Sequence, residues 1–284
     1  HHGLHGYITL YILFPPRLKS VSSRPMTKPV PAPSVLGDTL SRLKAVLGEG
    51  GWSQDPDRLE PKLVEWRGRW RGQTPLLVLP RSTAEVAAVV GICAADGVAI
   101  TPQGGNTGLV AGQIPQGEIL LSTEKLRGVR DVDGLDDVMV LEAGVTLSEA
   151  HARAASVGRR FTVGVASEGS CTIGGLISTN AGGTAVLRYG MMREQVLGIE
   201  AVLPTGEIWN GLKRLRKDNT GYDLKHCFIG AEGTLGVITR AVLRLAPPQG
   251  ETHTLLCALR DYPAAVSLLH RLRGAGLALE AFEV

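Results

Sequence analysis

The chain has 284 residues, 44% apolar and 20% charged, a balance that suits a globular fold of one large domain or two modest ones. Its formal charge is +3, but Arg17, Lys19 and Arg24 all precede Met26, and the remaining basic residues balance the 27 acidic ones. A neutral body argues against a nucleic-acid partner, whose binding runs on phosphate neutralisation.

Residues 1–25 read as a leader foreign to the fold. His1-His2 open the chain with no initiator, whereas Met26 is followed by a native-like start, Thr27-Lys28-Pro29-Val30. The apolar run from Leu4 to Phe14 is broken by His5, Gly6 and Thr9; it is too short to span a bilayer and lacks a small-residue cleavage site. No other stretch qualifies as transmembrane. Cys93, Cys171, Cys227 and Cys257 have no CxxC spacing, so buried, reduced thiols are the simplest account. With these features the expected location is cytoplasmic.

Residues 26–71 form an N-terminal helical segment, with an amphipathic helix from Ser34 to Leu47 and a polar turn from Gly48 to Asp57. The main domain follows at 72–248. Leu76 to Leu79 is a compact buried strand. Ser82 and Glu85 make a capping box for a helix whose apolar face is Val86, Val89, Val90 and Cys93, ended by Gly97. Val98 to Ile100 is the next strand, completing a β-α-β unit with parallel strands. Strands at 119–121 and 138–142 continue the pattern, and Thr146 with Glu149 makes a second capping box for a helix ending near Gly158.

After a glycine-rich stretch from Gly164 to Gly183 the chain becomes β-rich. Val196 to Leu203 and Glu207 to Trp209 flank a Pro204-Thr205-Gly206 turn as a hairpin. Val237 to Leu245 alternates, with Val237, Thr239, Ala241, Leu243 and Leu245 on one face and Ile238, Arg240, Val242 and Arg244 on the other. Pro247-Pro248 marks a boundary. Residues 249–284 then open a second α+β domain: strand 254–259, helix 263–273 and strand 277–284.

Glycine is about twice as frequent as usual, with 36 residues, many of them clustered in short runs, and three glycine-rich loops carry the chemistry. The first, Pro102-Gln103-Gly104-Gly105-Asn106-Thr107-Gly108, directly follows a strand and can turn successive N–H groups inward as an anion nest, with Asn106 and Thr107 adding side-chain donors. It opens no long helix, because Pro115 lies close behind, and carries no Gly-Lys-Ser/Thr. It is therefore neither a Rossmann nor a Walker loop. The second runs Ser167-Glu168-Gly169-Ser170-Cys171-Thr172-Ile173-Gly174-Gly175 to Ser178-Thr179-Asn180-Ala181-Gly182-Gly183. The third is Gly230-Ala231-Glu232-Gly233-Thr234-Leu235-Gly236. His151, His226, His253 and His270 are scattered without metal-ligand spacing.

The runs PQGGNTGLVAG, SEGSCTIGGLISTNAGG and RKDNTGYDLKHCFIGAEGTLGVIT resemble the FAD-binding domain of the vanillyl-alcohol-oxidase and p-cresol-methylhydroxylase superfamily, and within it the D-2-hydroxyglutarate and D-lactate dehydrogenase branch. The resemblance covers roughly residues 66–284. It implies an α+β, two-subdomain FAD-binding domain, a small parallel β-α-β sheet beside a larger, mainly antiparallel one, followed by the start of an α+β cap. FAD diphosphate would be held by Pro102, Gly104, Gly105, Asn106, Thr107 and Gly108. The second wall would come from Ser167, Ser170, Gly174, Gly175, Asn180 and Gly182, and Glu232, Gly233 and Ile238 would lie toward the adenine. Covalent members of the superfamily use a His or Cys, and the first loop has neither, so the FAD is expected to be non-covalent.

The resemblance further implies oxidation of a D-2-hydroxy acid of the D-2-hydroxyglutarate, D-lactate or glycolate type by hydride transfer to flavin N5. Electrons would pass to a quinone or an electron-transfer flavoprotein. A quinone acceptor would bring a peripheral membrane location, and a homodimer is a further option. The substrate-binding arginine and the HxGDGN metal tract that the family's second domain supplies have no counterpart pattern in this sequence, so the catalytic residues and a divalent metal are expected in a missing cap domain. The same FAD domain also serves sugar-alcohol oxidases and alkyl-glycerone-phosphate synthases, and a truncated fragment without turnover is the remaining alternative.

Overall fold

The computed structural model describes residues 7–11 and 33–284; the Met26 start and Arg17, Lys19 and Arg24 lie outside the described residues. In chain order the elements are β1 (Tyr7–Tyr11), α1 (Pro33–Leu47), β2 (Trp52–Ser53), α2 (Pro56–Leu63), β3 (Leu77–Val78), α3 (Thr83–Ala95), β4 (Ile100–Gln103), β5 (Ile119–Ser122), β6 (Val129–Asp133), β7 (Val138–Glu142) and α4 (Leu147–Ser156). They continue as α5 (Ile173–Ser178), α6 (Val186–Tyr189), α7 (Met192–Gln195), β8 (Val196–Val202), β9 (Ile208–Gly211), α8 (Lys225–Phe228), β10 (Val237–Arg244), β11 (Thr252–Leu256), α9 (Tyr262–Gly274) and β12 (Ala278–Glu283).

The strands form three sheets. The first has the order β2-β3-β5-β4; β3 and β4 both run parallel to β5, and β2 is antiparallel to β3. Its two central strands, β3 and β5, are apolar runs (Leu77-Val78 and Ile119-Leu120-Leu121) because both faces are covered. Leu76, Val78, Ile119 and Leu121 pack with Val86, Val89 and Cys93 of α3 and Leu43 and Leu47 of α1. Leu77, Leu79 and Leu120 face Leu59 and Leu63 of α2 on the other side. Burial pushes the Cys93 thiol up to about 12, which leaves it neutral and inert.

The second sheet, β6-β7-β10-β8-β9, is antiparallel throughout. It closes over Met139, Leu141, Ile199, Ala241 and Leu243, which pack on Leu147 and Ala150 of α4 and on Ile173 and Ile177 of α5. The expected alternation along β10 breaks at its start. Ile238 joins the core of Ala241, Leu243 and Leu245, while Val237 turns to the core around α3. The cause is a register shift between Ile238 and Arg240, which places Thr239 as an inserted, fully buried residue.

That inserted threonine completes a strut between the antiparallel sheet and α3, the helix that covers the parallel sheet. Glu200 on β8, 5% exposed, accepts from the hydroxyls of Thr239 (2.8 Å) and of Thr83 at the start of α3 (2.6 Å), and Arg240 donates to its other oxygen at 3.4 Å. Arg240 also lies 3.8 Å from the buried Glu142, which pairs with Arg130 and accepts the Gly128 N–H at 2.7 Å. A buried carboxylate with its acceptor sites filled is tolerable; one left bare is not.

Several boundaries differ from the sequence reading. The turn expected over 48–57 contains β2 and the start of α2, whose first turn is capped by Asp55 accepting the Asp57 N–H at 3.0 Å. The loop expected over 164–183 contains α5. Both capping boxes are half-formed. Ser82 and Thr146 accept from the N–H groups of Glu85 and Glu149, at 3.2 Å each. The Glu85 carboxylate, however, reaches the Arg81 N–H rather than that of Ser82, and Glu149 pairs with Arg127 and Arg153.

The third sheet has the order β11-β1-β12, with β1 parallel to both neighbours. Tyr7–Tyr11, inside the segment set aside on sequence grounds, thus supplies the strand between β11 and β12, which α9 connects without pairing them. Glu200→Ala would strand Thr83, Thr239 and Arg240 together. We expect a loss of about 3 kcal/mol in chemical denaturation, and a loss below about 1 kcal/mol would show that the strut carries little.

Candidate functional site

The three glycine loops converge because their backbones meet with no side chain between them. A Cβ on Gly104 would lie 2.3 Å from Thr172 Oγ1, and one on Gly105 would lie 1.8 Å from the Ser170 carbonyl oxygen. Thr172 cannot withdraw, since it caps α5 by accepting the Gly175 N–H at 3.4 Å. Gly233 has φ +80°, and a Cβ there would sit 2.4 Å from Pro102 Cγ, so the third loop lies directly on the first. Gly174 approaches Ala143 in the same way, with a Cβ separation of 2.7 Å. Backbone bonds lock the third loop to α5: Glu232 N–H to Ser178 O at 2.9 Å and Gly230 N–H to Ile177 O at 3.1 Å.

The first loop is braced from behind. Asn106, at φ 55°, donates its amide to the carbonyls of Pro61 (3.0 Å) and Val64 (2.9 Å) and accepts from Gln113 Nε2 at 3.1 Å. Gln113 also donates to Gly108 O at 2.8 Å, and Gln103 Nε2 ties the Lys62 and Gln113 carbonyls at 2.9 and 3.0 Å. The Asn106 side chain therefore faces the protein, and the expected side-chain donor from it is corrected: what Asn106 can offer a ligand is its N–H. The N–H groups of Gly104, Gly105, Asn106, Thr107 and Gly108 find no acceptor among the described residues. A run of such groups is what an anion nest consists of.

Between the loops lies a cleft of about 100 Å³, bounded by Pro102, Gln103, Gly104, Gly112, Gln113, Thr123, Gly174, Gly175, Ser178, Thr179, Glu232, Gly233, Gly236, Val237 and Ile238. Drug-sized ligands take pockets of roughly 300–1,000 Å³, so only part of a dinucleotide would be enclosed. An apolar slot of about 200 Å³ adjoins it, walled by Val90, Ala94, Ile100 and Val202 and sharing Pro102, Gly233, Gly236 and Val237 with the cleft.

Of the residues singled out from the sequence, Pro102, Gly104, Gly174, Gly175, Glu232, Gly233 and Ile238 line the cleft. Gly105, Asn106, Thr107 and Gly108 complete its loop outside that lining. Ser170 meets Gly105 through its backbone, and the Ser167 carbonyl accepts from the N–H groups of Ser170 and Cys171 as a turn former. Asn180 accepts the Arg193 N–H at 2.9 Å, and Gly182 packs near Val186, so both brace the second loop. Sequence reasoning missed Gln103, Gly112, Gln113, Thr123, Ser178, Thr179, Gly236 and Val237 as cleft residues. Most sit inside the quoted runs, whereas Thr123 enters only because its N–H pairs with Gln103 O at 3.0 Å.

Residues 74–211 match the FAD binding domain family. Solved structures of alkyldihydroxyacetonephosphate synthase (TM-score 0.71, 23% identity, 84% of this chain and 46% of that one) and p-cresol methylhydroxylase (0.69, 18%, 86% and 50%) share the fold. The chain therefore has the fold that these two enzymes share, and the stretch that matches the FAD binding domain family contains the first two glycine loops.

Among curated relatives, D-2-hydroxyglutarate dehydrogenase, mitochondrial, of Bos taurus is 42% identical over 275 residues, covering 94% of this chain and 50% of the relative. The probable D-2-hydroxyglutarate dehydrogenase, mitochondrial, of Oryza sativa subsp. japonica is 40% identical over 256 residues, covering 89% and 46%. The chain belongs with the D-2-hydroxyglutarate dehydrogenase homologues and spans about half their length. The cytoplasmic location expected from the sequence is overturned, because these relatives and those of Arabidopsis thaliana and Danio rerio are named mitochondrial. No helix among the described residues is long and apolar enough to cross a membrane.

The close approaches make a paired test. Gly233→Ala combines a strained φ with the Pro102 contact and should lower stability by about 1–3 kcal/mol. Gly91→Ala, in the middle of α3 with open space around its Cβ position, should raise it by about 0.5–1 kcal/mol. Thermal melts of the two variants moving in opposite directions is the expected result.

Proposed function

We propose that this chain is the flavin-binding half of an FAD-dependent dehydrogenase that oxidises a D-2-hydroxy acid to the 2-oxo acid. The observation that carries the reading is the cradle itself: five consecutive N–H groups without acceptors among the described residues, closed in by glycine contacts that leave no room for a side chain. The names and identities of the curated relatives support the choice of substrate class, with D-2-hydroxyglutarate foremost. FAD bound here supplies the two-electron acceptor for the C2 hydride.

The residues of this chain bind and orient. Gly104, Gly105, Asn106, Thr107 and Gly108 hold the diphosphate through their N–H groups, and the wall of α5 with Gly174, Gly175, Ser178 and Thr179 closes the opposite side. Ser167, Ser170, Asn180 and Gly182 shape the second loop toward the ribityl chain and ring edge. Glu232, Gly233 and Ile238 lie toward the adenine, for which the apolar slot beside them is suited.

Attachment is non-covalent. The first loop holds no His or Cys, and burial pushes the Cys171 thiol up, so it stays protonated behind its loop. His151 Nε2 contacts Val163 O at 2.8 Å, and Nδ1 lies 3.5 Å from Glu168. The base that takes the hydroxyl proton, the arginine that fixes the carboxylate and a divalent metal are assigned to the remainder of the full-length protein. Its location is mitochondrial, and its electrons leave to a quinone or an electron-transfer flavoprotein.

The visible spectrum of the purified chain, recorded before and after denaturation and removal of small molecules, tests the cofactor reading. A flavin band that leaves the protein on denaturation is expected. A folded, colourless protein that also refuses added FAD would contradict it.

A further inference from the structure

A second pocket, of about 420 Å³, opens at the β9 edge of the antiparallel sheet. It is bounded by β9, α7, α8, the end of β10 and the loop before α8, and it shares no residue with the cleft between the glycine loops. Its volume falls in the range common for small-molecule pockets.

Five permanent cations line it against three carboxylates. Most of these charges already have partners. Lys213 pairs with Asp218 at 2.6 Å, Lys225 pairs with Asp223, and Arg216 lies 3.4 Å from Asp137. Glu194 accepts the Met191 N–H at 2.8 Å in the first turn of α7. Two arginines are left over.

Arg244, exposed at the end of β10, forms no hydrogen bond or ion pair among the described residues. Arg193 is half-buried and turns only to uncharged groups. Its Nη1 donates to His226 O at 3.0 Å and to His226 Nδ1 at 2.9 Å, and its Nη2 donates to Ile229 O at 2.5 Å. Its Nε has no partner, and no carboxylate lies within ion-pair reach of it, among the described residues. Desolvating a guanidinium without a counter-charge is costly, and an anion on its free edge offsets that cost. The pocket also offers apolar surface. Trp209, stacked on Phe228 with ring centroids 5.3 Å apart, lines it, and Leu215 and Leu224 are exposed around it.

We propose that this pocket binds a small organic anion, its carboxylate or phosphate held by Arg193 and Arg244 and its body packed on Trp209. A guanidinium fork suits either head group. Arg193 also supports the FAD site, since its own N–H bonds Asn180 of the second loop at 2.9 Å and Ile229 directly precedes the third. The anion therefore sits on a side chain that joins those two loops, and its binding does not depend on the FAD reading.

Calorimetric titration of the chain at constant ionic strength with phenyl phosphate, phenylacetate and benzyl alcohol tests it. At least one of the two anions should bind saturably at one site per chain, and the uncharged alcohol should not. The tighter anion identifies the head group. Arg244→Gln removes a side chain with no bond to the protein, so it should melt at the native temperature and bind the anion roughly tenfold or more weakly. Saturating FAD should leave the anion bound. Absence of saturable binding, equal binding by the native chain and Arg244→Gln, or equal binding of benzyl alcohol would each overturn the proposal. Displacement by FAD would overturn it too, placing the anion in the N–H cradle instead.

Discussion

Backbone meeting backbone is the constraint on which the site depends. Gly105 lies against the Ser170 carbonyl and Gly233 against Pro102, each closer than any Cβ allows, and these contacts bring three segments more than sixty residues apart onto one cleft. The approach fixes more than shape. The N–H groups of the first loop are left without an acceptor among the described residues, at the edge of the cleft that Gly104 lines. In the proposed function a diphosphate would be bound by dipoles held in place by the fold, with Asn106 and Gln113 holding the loop from behind.

Rigidity behind the loops follows from how the two sheets are joined. The first loop leaves the parallel sheet at β4, the third enters the antiparallel sheet at β10, and their contact would drift if the sheets moved independently. Glu200 ties the antiparallel sheet to Thr83 of α3, which packs on the parallel sheet, and the inserted Thr239 that bonds the same carboxylate sits at the register shift that turns Ile238 toward the cleft. One irregularity in β10 therefore serves both the joint and the site.

Much of this was legible in the sequence. The three glycine runs, their order, the parallel β-α-β unit and the hairpin over 196–209 all follow from local chemistry, because glycine spacing and apolar periodicity act over a few residues. What local chemistry could not show was direction. Nothing in Gly104-Gly105-Asn106 says that the amide turns back to Pro61 and Val64, carbonyls that arrive from α2 forty residues earlier. Nothing in the alternation of Val237 to Leu245 reveals a register shift imposed by the partner strand β8. The helix α5 was hidden because Gly174-Gly175 argues for a loop, and it forms through the Thr172 cap and burial of Ile173 and Ile177.

The central claim is that the N–H groups of Gly104 to Gly108 hold the diphosphate. It is tested most directly by amide proton and nitrogen chemical shifts of the flavin-free chain titrated with FAD. Downfield proton shifts concentrated on Gly104, Gly105 and Gly108, saturating with FAD and reproduced by ADP, are the expected result. FAD binding that leaves these amides unmoved while perturbing residues elsewhere would contradict the account.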